Sequence, residues 1–219
     1  GGKKVVLIKF EQAPATKVKA VAGKIAHKQF HKPDGNVTQE ELCEAVDKTK
    51  GKIIMFDVSY ADAGYGNMWD RLKPAIRHAV VVEGAKTVII DPLTRLTTGM
   101  HSADANTELE RVADEISKMA KDLEFHYIFF CHLKAPQNGK SHEAGGQVRS
   151  NQFTGSRAMM RACYFMVGIE RDKTSEDEVE RNTSQFVLLE DRAFGNFGRF
   201  PVFYDRSTGD YLEPPKEFE

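Results

Sequence analysis

Lys86-Thr87-Val88-Ile89-Ile90-Asp91 is the stretch on which the reading of this chain turns. Its interior is β-branched and apolar, so it reads as a short buried strand over Lys86 to Ile90, and it ends on a carboxylate. On its C-terminal side, Leu109, Val112, Ile116, Met119 and Leu123 recur at three-to-four spacing and predict a long amphipathic helix over Asp104 to Leu123. A further strand, His126 to Cys131, follows. On the N-terminal side, Val5 to Phe10 and Lys52 to Phe56 read as strands. Ala15 to Phe30 reads as a helix broken by Pro33-Asp34-Gly35, and Thr38-x-x-Glu41 as a capping box for a helix through Val46. Asn67 to Val82 reads as a helix, with a possible kink at Pro74.

Beyond Cys131 the pattern changes. A polar, glycine-containing loop spans about 134–151, and a short helix is expected near Ser156 to Arg161. Tyr164 to Ile169 reads as a fifth strand, and the charged run Asp172 to Arg181 as a solvated loop. Gln185 to Leu189, Phe200 to Tyr204 and Tyr211-Leu212 read as short antiparallel strands, with Ser207-Thr208-Gly209-Asp210 a turn. Strands alternating with helices imply parallel βαβ units, and the strand-only tail implies an antiparallel extension. The expected architecture is therefore one α/β domain over residues 1–219: a mostly parallel sheet flanked by helices, with a C-terminal antiparallel extension.

Composition narrows the function classes. Charged residues are 29% of the chain but balance to a net charge of −1, which excludes a globally basic nucleic-acid binder and leaves room for a local basic patch. No apolar run approaches the ~18 residues of a membrane span. The 3 cysteines, Cys43, Cys131 and Cys163, are too sparse for a disulfide scaffold and point to a reducing, cytoplasmic compartment.

The chemistry gathers at predicted strand ends, where open α/β sheets bind ligands. Glu11 follows one strand as Asp91 follows another. In nucleotide hydrolases a strand-terminal acid of this kind, the Walker B motif, orients a phosphate-bound magnesium, while a second acid positions the attacking water. Solvated acids at strand ends are also common, so spacing alone leaves both readings open. His132 closes the fourth strand and is placed either to sense a terminal phosphate or to cap the strand. A Cys131–His132 catalytic pair is geometrically poor, because neighbours on a strand point to opposite faces. The loop carrying Lys134, Lys140, His142 and Arg149 is read as flexible and cationic. It is suited to the phosphates of a single strand or is simply a solvated surface loop. Arg192, in Glu190-Asp191-Arg192-Ala193-Phe194-Gly195-Asn196-Phe197-Gly198, is placed to reach a neighbouring subunit's phosphate site or to pair with Asp191 or Glu190. His27 and His31 lack the glutamate of a zinc-binding helix, and no zinc site is assigned.

Taken in order, Lys-Val-Val-Leu-Ile-Lys-Phe-Glu11, Val-Ile-Ile-Asp91, Cys-His132-Leu-Lys, Phe-Thr-Gly155-Ser156, Gly-Ile-Glu-Arg171 and Asp-Arg192-x-x-Gly-x-x-Gly resemble the motor domains of hexameric replicative DNA helicases. The similarity is greatest to the helicase half of phage primase-helicases and to the mitochondrial replicative helicase, within the DnaB/RecA-like class. It extends to the closing Val-Phe-Tyr-Asp-Arg-Ser-Thr-Gly-Asp-Tyr-Leu-Glu-Pro.

The resemblance implies a RecA-like NTPase core that uses ATP or another NTP or dNTP with Mg2+. It implies movement on single-stranded DNA within a homo-hexameric ring, and a fused or partner primase. A phage-infected bacterial cytoplasm is the expected setting, with no membrane partner. By the same resemblance Glu11 activates water, Asp91 orients magnesium through its water shell, His132 senses the γ-phosphate, Arg192 acts as an arginine finger in trans and Arg171 contacts the base. Lys134, Lys140 and Arg149 grip DNA.

Some positions depart from the family pattern. Glu190 stands where the family has a lysine, Arg157 replaces a small residue, and Pro92 directly follows Asp91. No G-x-x-x-x-G-K-[ST] occurs in the sequence, so the first strand and phosphate loop of the core are expected to be absent from this stretch. Two expectations follow: the chain by itself does not hydrolyse NTP, and the fourth and fifth strands either pair directly or receive another chain between them. A RecA-like recombinase, and a non-catalytic ring-forming or DNA-binding paralogue, are the competing readings.

Overall fold

The structure is a computed structural model that describes residues 3–11, 13–32, 37–56, 67–153, 160 and 162–215. Four parallel strands form the first sheet: β1 (Lys4–Lys9), β2 (Ile53–Phe56), β3 (Ala85–Asp91) and β4 (His126–Phe129), in the order β2-β1-β3-β4. Val6, Leu7 and Ile8 are consecutive and all buried. Both faces of β1 are therefore covered, as the apolar run requires of a parallel strand between helices.

Helices α1 (Pro14–Ala26), α2 (Gln39–Thr49), α3 (Met68–Val81) and α4 (Ser102–Leu123) complete this half. The predicted stripe of α4 is the buried one: Leu109, Val112, Ile116 and Met119 pack with Trp69, Leu72 and Ile76 of α3 against Val6, Ile8, Val88 and Ile90. Thr38 caps α2 as the sequence indicates, with both bonds of the box present. Asn67 caps α3 by accepting the Trp69 N–H at 2.9 Å, and the helix continues through Pro74. Helix α1 is shorter than expected. It stops at His27, which takes the left-handed conformation with φ 53°, and Phe30 then folds back into a small second core with Ala22 and Ala45.

The second half is an antiparallel sheet in the order β5-β6-β7-β8, made of β5 (Phe165–Glu170), β6 (Thr183–Asp191), β7 (Gly198–Tyr204) and β8 (Tyr211–Leu212). Between β5 and β6 the charged run is not wholly loop. It holds the short helix α5 (Glu178–Asn182), capped by Asp177, whose carboxylate accepts from the Glu180 N–H at 2.8 Å. The short helix expected near residues 156–161 falls largely outside the described residues.

Direct pairing of β4 with β5 does not occur. Each is the edge of its own sheet, and a side chain rather than a ladder bridges them: Tyr127 Oη donates to the Ala162 carbonyl at 3.0 Å. Ile128, Phe130, Phe165, Val167 and Ile169 are exposed along these edges. The halves also meet where α1 runs into the β7–β8 turn. There Lys24 bonds the Gly209 carbonyl, Gln29 bonds the Arg206 carbonyl, and His27 Nδ1 lies 2.6 Å from Asp210.

Candidate functional site

Parallel pairing brings the carboxyl ends of β1, β3 and β4 to one edge. The register sets Lys9 beside Asp91, and the Phe10 N–H donates to the Asp91 carbonyl at 3.0 Å, so β1 and β3 end level with each other. Beyond β4, the Phe130 N–H bonds the Ile90 carbonyl at 2.9 Å and the Leu93 N–H bonds the Phe130 carbonyl at 2.8 Å. These bonds carry the chain to His132 at the same edge.

His132 Nε2 lies 3.9 Å from Glu11 Oε1, and its Nδ1 lies 3.5 Å from Thr94 Oγ1, on the turn of 3-10 helix after Asp91. Glu11 and His132 are more than half exposed, and Asp91 is 31% exposed. The residues singled out in the sequence at three separate strand ends thus form one open cluster of two acids and an imidazole. Asp91 does not stand alone: Lys9 Nζ is 3.2 Å from its Oδ2. The Asp91–Pro92 peptide is cis.

Two other candidates sit on the second sheet. Arg192, just after β6, donates from Nη2 to the Met160 carbonyl at 2.9 Å, and its Nε lies 3.5 Å from Glu190. Arg171, just after β5, donates to the Arg181 carbonyl at 2.7 Å. It also lines a hollow of about 320 Å³ with Lys24, Lys28, Tyr204 and Tyr211.

The cationic loop is better ordered than its composition implies. His142 Nε2 lies 3.1 Å from the Lys134 carbonyl, and the Gly146 N–H bonds the Ser141 carbonyl at 2.9 Å. The Lys173 N–H bonds the Glu143 carbonyl at 2.8 Å, and the Val148 N–H bonds buried Glu170 at 2.7 Å. The expectation of a flexible loop is corrected accordingly: long-range bonds tie down both limbs. Lys134, Lys140 and Arg149, with Gln137, Asn138 and Asn151, border a groove of about 630 Å³ with glycine and amide walls and no aromatic ring.

Sequence reasoning passed over Lys9, Lys17 and Glu170. A lysine inside the otherwise apolar Val5–Phe10 run was the available signal for Lys9. Lys17 is 4% exposed in the first turns of α1, and nothing in its local pattern marks it.

Asp91 and Glu11 offer hard oxygen donors at an open edge, which fits a magnesium that keeps most of its waters. Among the described residues no group of three or more His, Cys, Asp or Glu side chains is arranged to hold a metal. The fit is therefore to a cation whose remaining ligands are water and phosphate.

The fold is that of RecA-like helicase ATPase domains, a parallel sheet flanked by helices and joined to an antiparallel sheet, as the sequence led us to expect. The chain superposes on a solved helicase ATPase domain with a TM-score of 0.69 and 17% identity, covering 97% of this chain and 75% of that one. It superposes on a DnaB-like replicative helicase, described with its interactions with primase, with a TM-score of 0.68 and 16% identity, covering 97% of this chain and 51% of that one. In sequence it is 26% identical over 146 residues to a DNA helicase/primase of Enterobacteria phage T3. That match covers 66% of this chain and 25% of the relative, so the chain corresponds to about a quarter of the phage protein's length. No family model matches the chain. No helix among the described residues is long and apolar enough to cross a membrane.

Proposed function

We propose that this chain supplies the metal-and-water side of an NTP-driven DNA helicase motor that moves on single-stranded DNA within a hexameric ring. The observation that carries the reading is the convergence of Glu11, Asp91 and His132 at one sheet edge, with His132 and Glu11 3.9 Å apart. Mg2+ bound with the nucleotide would neutralise charge developing on the transferred phosphoryl group. Asp91 holds and orients that ion through water. Glu11 orients the attacking water and accepts its proton. His132, between Glu11 and Thr94, is within reach of a terminal phosphate and donates a hydrogen bond to it.

Arg192 serves a neighbouring copy's site. To do so its guanidinium exchanges the Met160 carbonyl and Glu190 for phosphate, and Glu190 weakens that exchange by like charge with the phosphate. Arg171, beside the Tyr204 hollow, contacts the base. Lys134, Lys140 and Arg149 track the DNA backbone through the groove. Its lack of aromatic rings supports phosphate contact over base stacking, hence binding indifferent to sequence. A primase, fused or separate, is the expected partner, by analogy with the phage relative and with the DnaB-like structure.

The test is NTP hydrolysis by the intact gene product, with and without single-stranded DNA. The proposal expects DNA-stimulated turnover that Asp91→Asn removes in a Mg2+-dependent way. A protein that binds single-stranded DNA but never hydrolyses NTP would instead be the non-catalytic paralogue.

A further inference from the structure

Lys9 ends β1 directly beside Asp91, and its ammonium contacts the Asp91 carboxylate at 3.2 Å. The backbone that carries Lys9 is fixed from outside the sheet. Lys17, 4% exposed, donates from Nζ to the Lys9 carbonyl at 2.6 Å. The next residue, Phe10, is bonded to Asp91 through its N–H. One buried lysine thus sets the position of a second, and the second faces the acid to which we assign the magnesium.

An ammonium and a hydrated divalent cation compete for the same carboxylate oxygens. We propose that Lys9 is a built-in counter-ion of Asp91: it holds the carboxylate while no metal is present and must be displaced before a divalent cation can settle there. The inference rests on the reading of Asp91 as the metal-side acid. Its consequence is a threshold. A lone Mg2+, offered one or two carboxylates and otherwise water, competes poorly against an attached cation. A Mg2+ arriving with phosphate oxygens brings additional ligands and prevails. Lys9 therefore couples metal entry to nucleotide entry and keeps the site free of metal between turnovers. It is a positioning residue, since it acts through Asp91.

The experiment is a Mn2+ titration of the 219-residue chain without nucleotide, read by paramagnetic broadening of the Phe10 and Leu93 amide signals. Lys9→Met and Lys9→Gln are compared with wild type, with the charge-conserving Lys9→Arg, and with each neutral variant combined with Asp91→Asn. We expect both neutral variants to bind Mn2+ about threefold more tightly, the size of effect a partly exposed ion pair exerts. Lys9→Arg should match wild type, and Asp91→Asn should abolish the gain. Unchanged or weaker binding in the neutral variants, with Asp91→Asn still abolishing it, overturns the role of Lys9 and leaves the reading of Asp91 standing. Broadening that survives Asp91→Asn in every background overturns both.

Discussion

Replacing Glu170 by alanine separates two explanations of how the cationic groove binds DNA. Glu170 is 5% exposed at the end of β5. Its Oε1 accepts from the Val148 N–H at 2.7 Å and from Arg199 Nη2 at 3.1 Å, and its Oε2 lies 2.9 Å from Arg199 Nη1. Val148 is itself buried and seated on Gly168, where an added Cβ would stand 2.8 Å from Val148 Cγ1.

Truncation leaves the buried Val148 N–H without its acceptor, at about 1–3 kcal/mol. Arg199, 46% exposed, returns to water, so its pair adds only about 0.5 kcal/mol. The expected destabilisation is therefore roughly 2–3 kcal/mol, read as a lower urea midpoint at unchanged slope. The effect on DNA is more telling. If the groove worked by net charge alone, deleting a carboxylate would tighten binding. If the loop must be held in shape, its second limb loosens and affinity for single-stranded DNA falls by about tenfold, roughly 1.4 kcal/mol. Anisotropy with a labelled oligonucleotide, at matched salt and below the unfolding transition, distinguishes the two. Tighter or unchanged binding in a destabilised Glu170→Ala protein would refute the role given to the loop's anchoring.

Three further outcomes are expected. Burial opposes ionisation of the Asp191 carboxyl, but bonds from the Phe194 N–H, the Asn196 side chain and the Ala193 N–H outweigh it and hold the group below the usual carboxylate range. Its stabilisation is complete above about pH 4 and is lost as pH falls through the lower folded value. Amide exchange in the turn after β6 should therefore accelerate at acid pH, and Asp191→Asn should flatten that dependence. Burial pushes the Cys131 thiol up to about 11 and raises Cys163 as well, whereas Cys43 is exposed. Alkylation near pH 7.5 followed by peptide mapping should thus label Cys43 first, and equal rates at all sites would contradict the packing. Trp69 is fully buried and donates from Nε1 to Glu115 at 2.8 Å, so Trp69→Phe should cost about 2 kcal/mol in urea unfolding.

The parallel half of the fold was legible because its signals are local. The β-branched run of β3, the spacing of α4 and the capping box at Thr38 each declare an element within a few residues. The antiparallel half was legible in outline only. Helix α5 hides in a charged run, since its cap and the bonds from Arg181 to the Ser175 and Glu176 carbonyls use polar groups that read equally well as solvated. The order of the 134–151 loop was not legible, because Glu170 and Lys173, which fasten it, lie about twenty residues or more away in sequence. At the candidate site, Glu11, Asp91 and His132 were marked by their places at strand ends. Lys9 was not, because its partner is fixed by register between strands, which no single run of sequence encodes.

The central claim is that Glu11 acts on water at a phosphate site without helping to bind the nucleotide. In the intact gene product, single-turnover hydrolysis and nucleotide affinity measured side by side for wild type and Glu11→Gln test it most directly. The account predicts that the hydrolysis rate falls by about 10²- to 10⁴-fold, the range for losing a general base, while affinity stays within about twofold. A rate that is unchanged, or one that falls only in step with affinity, would contradict it.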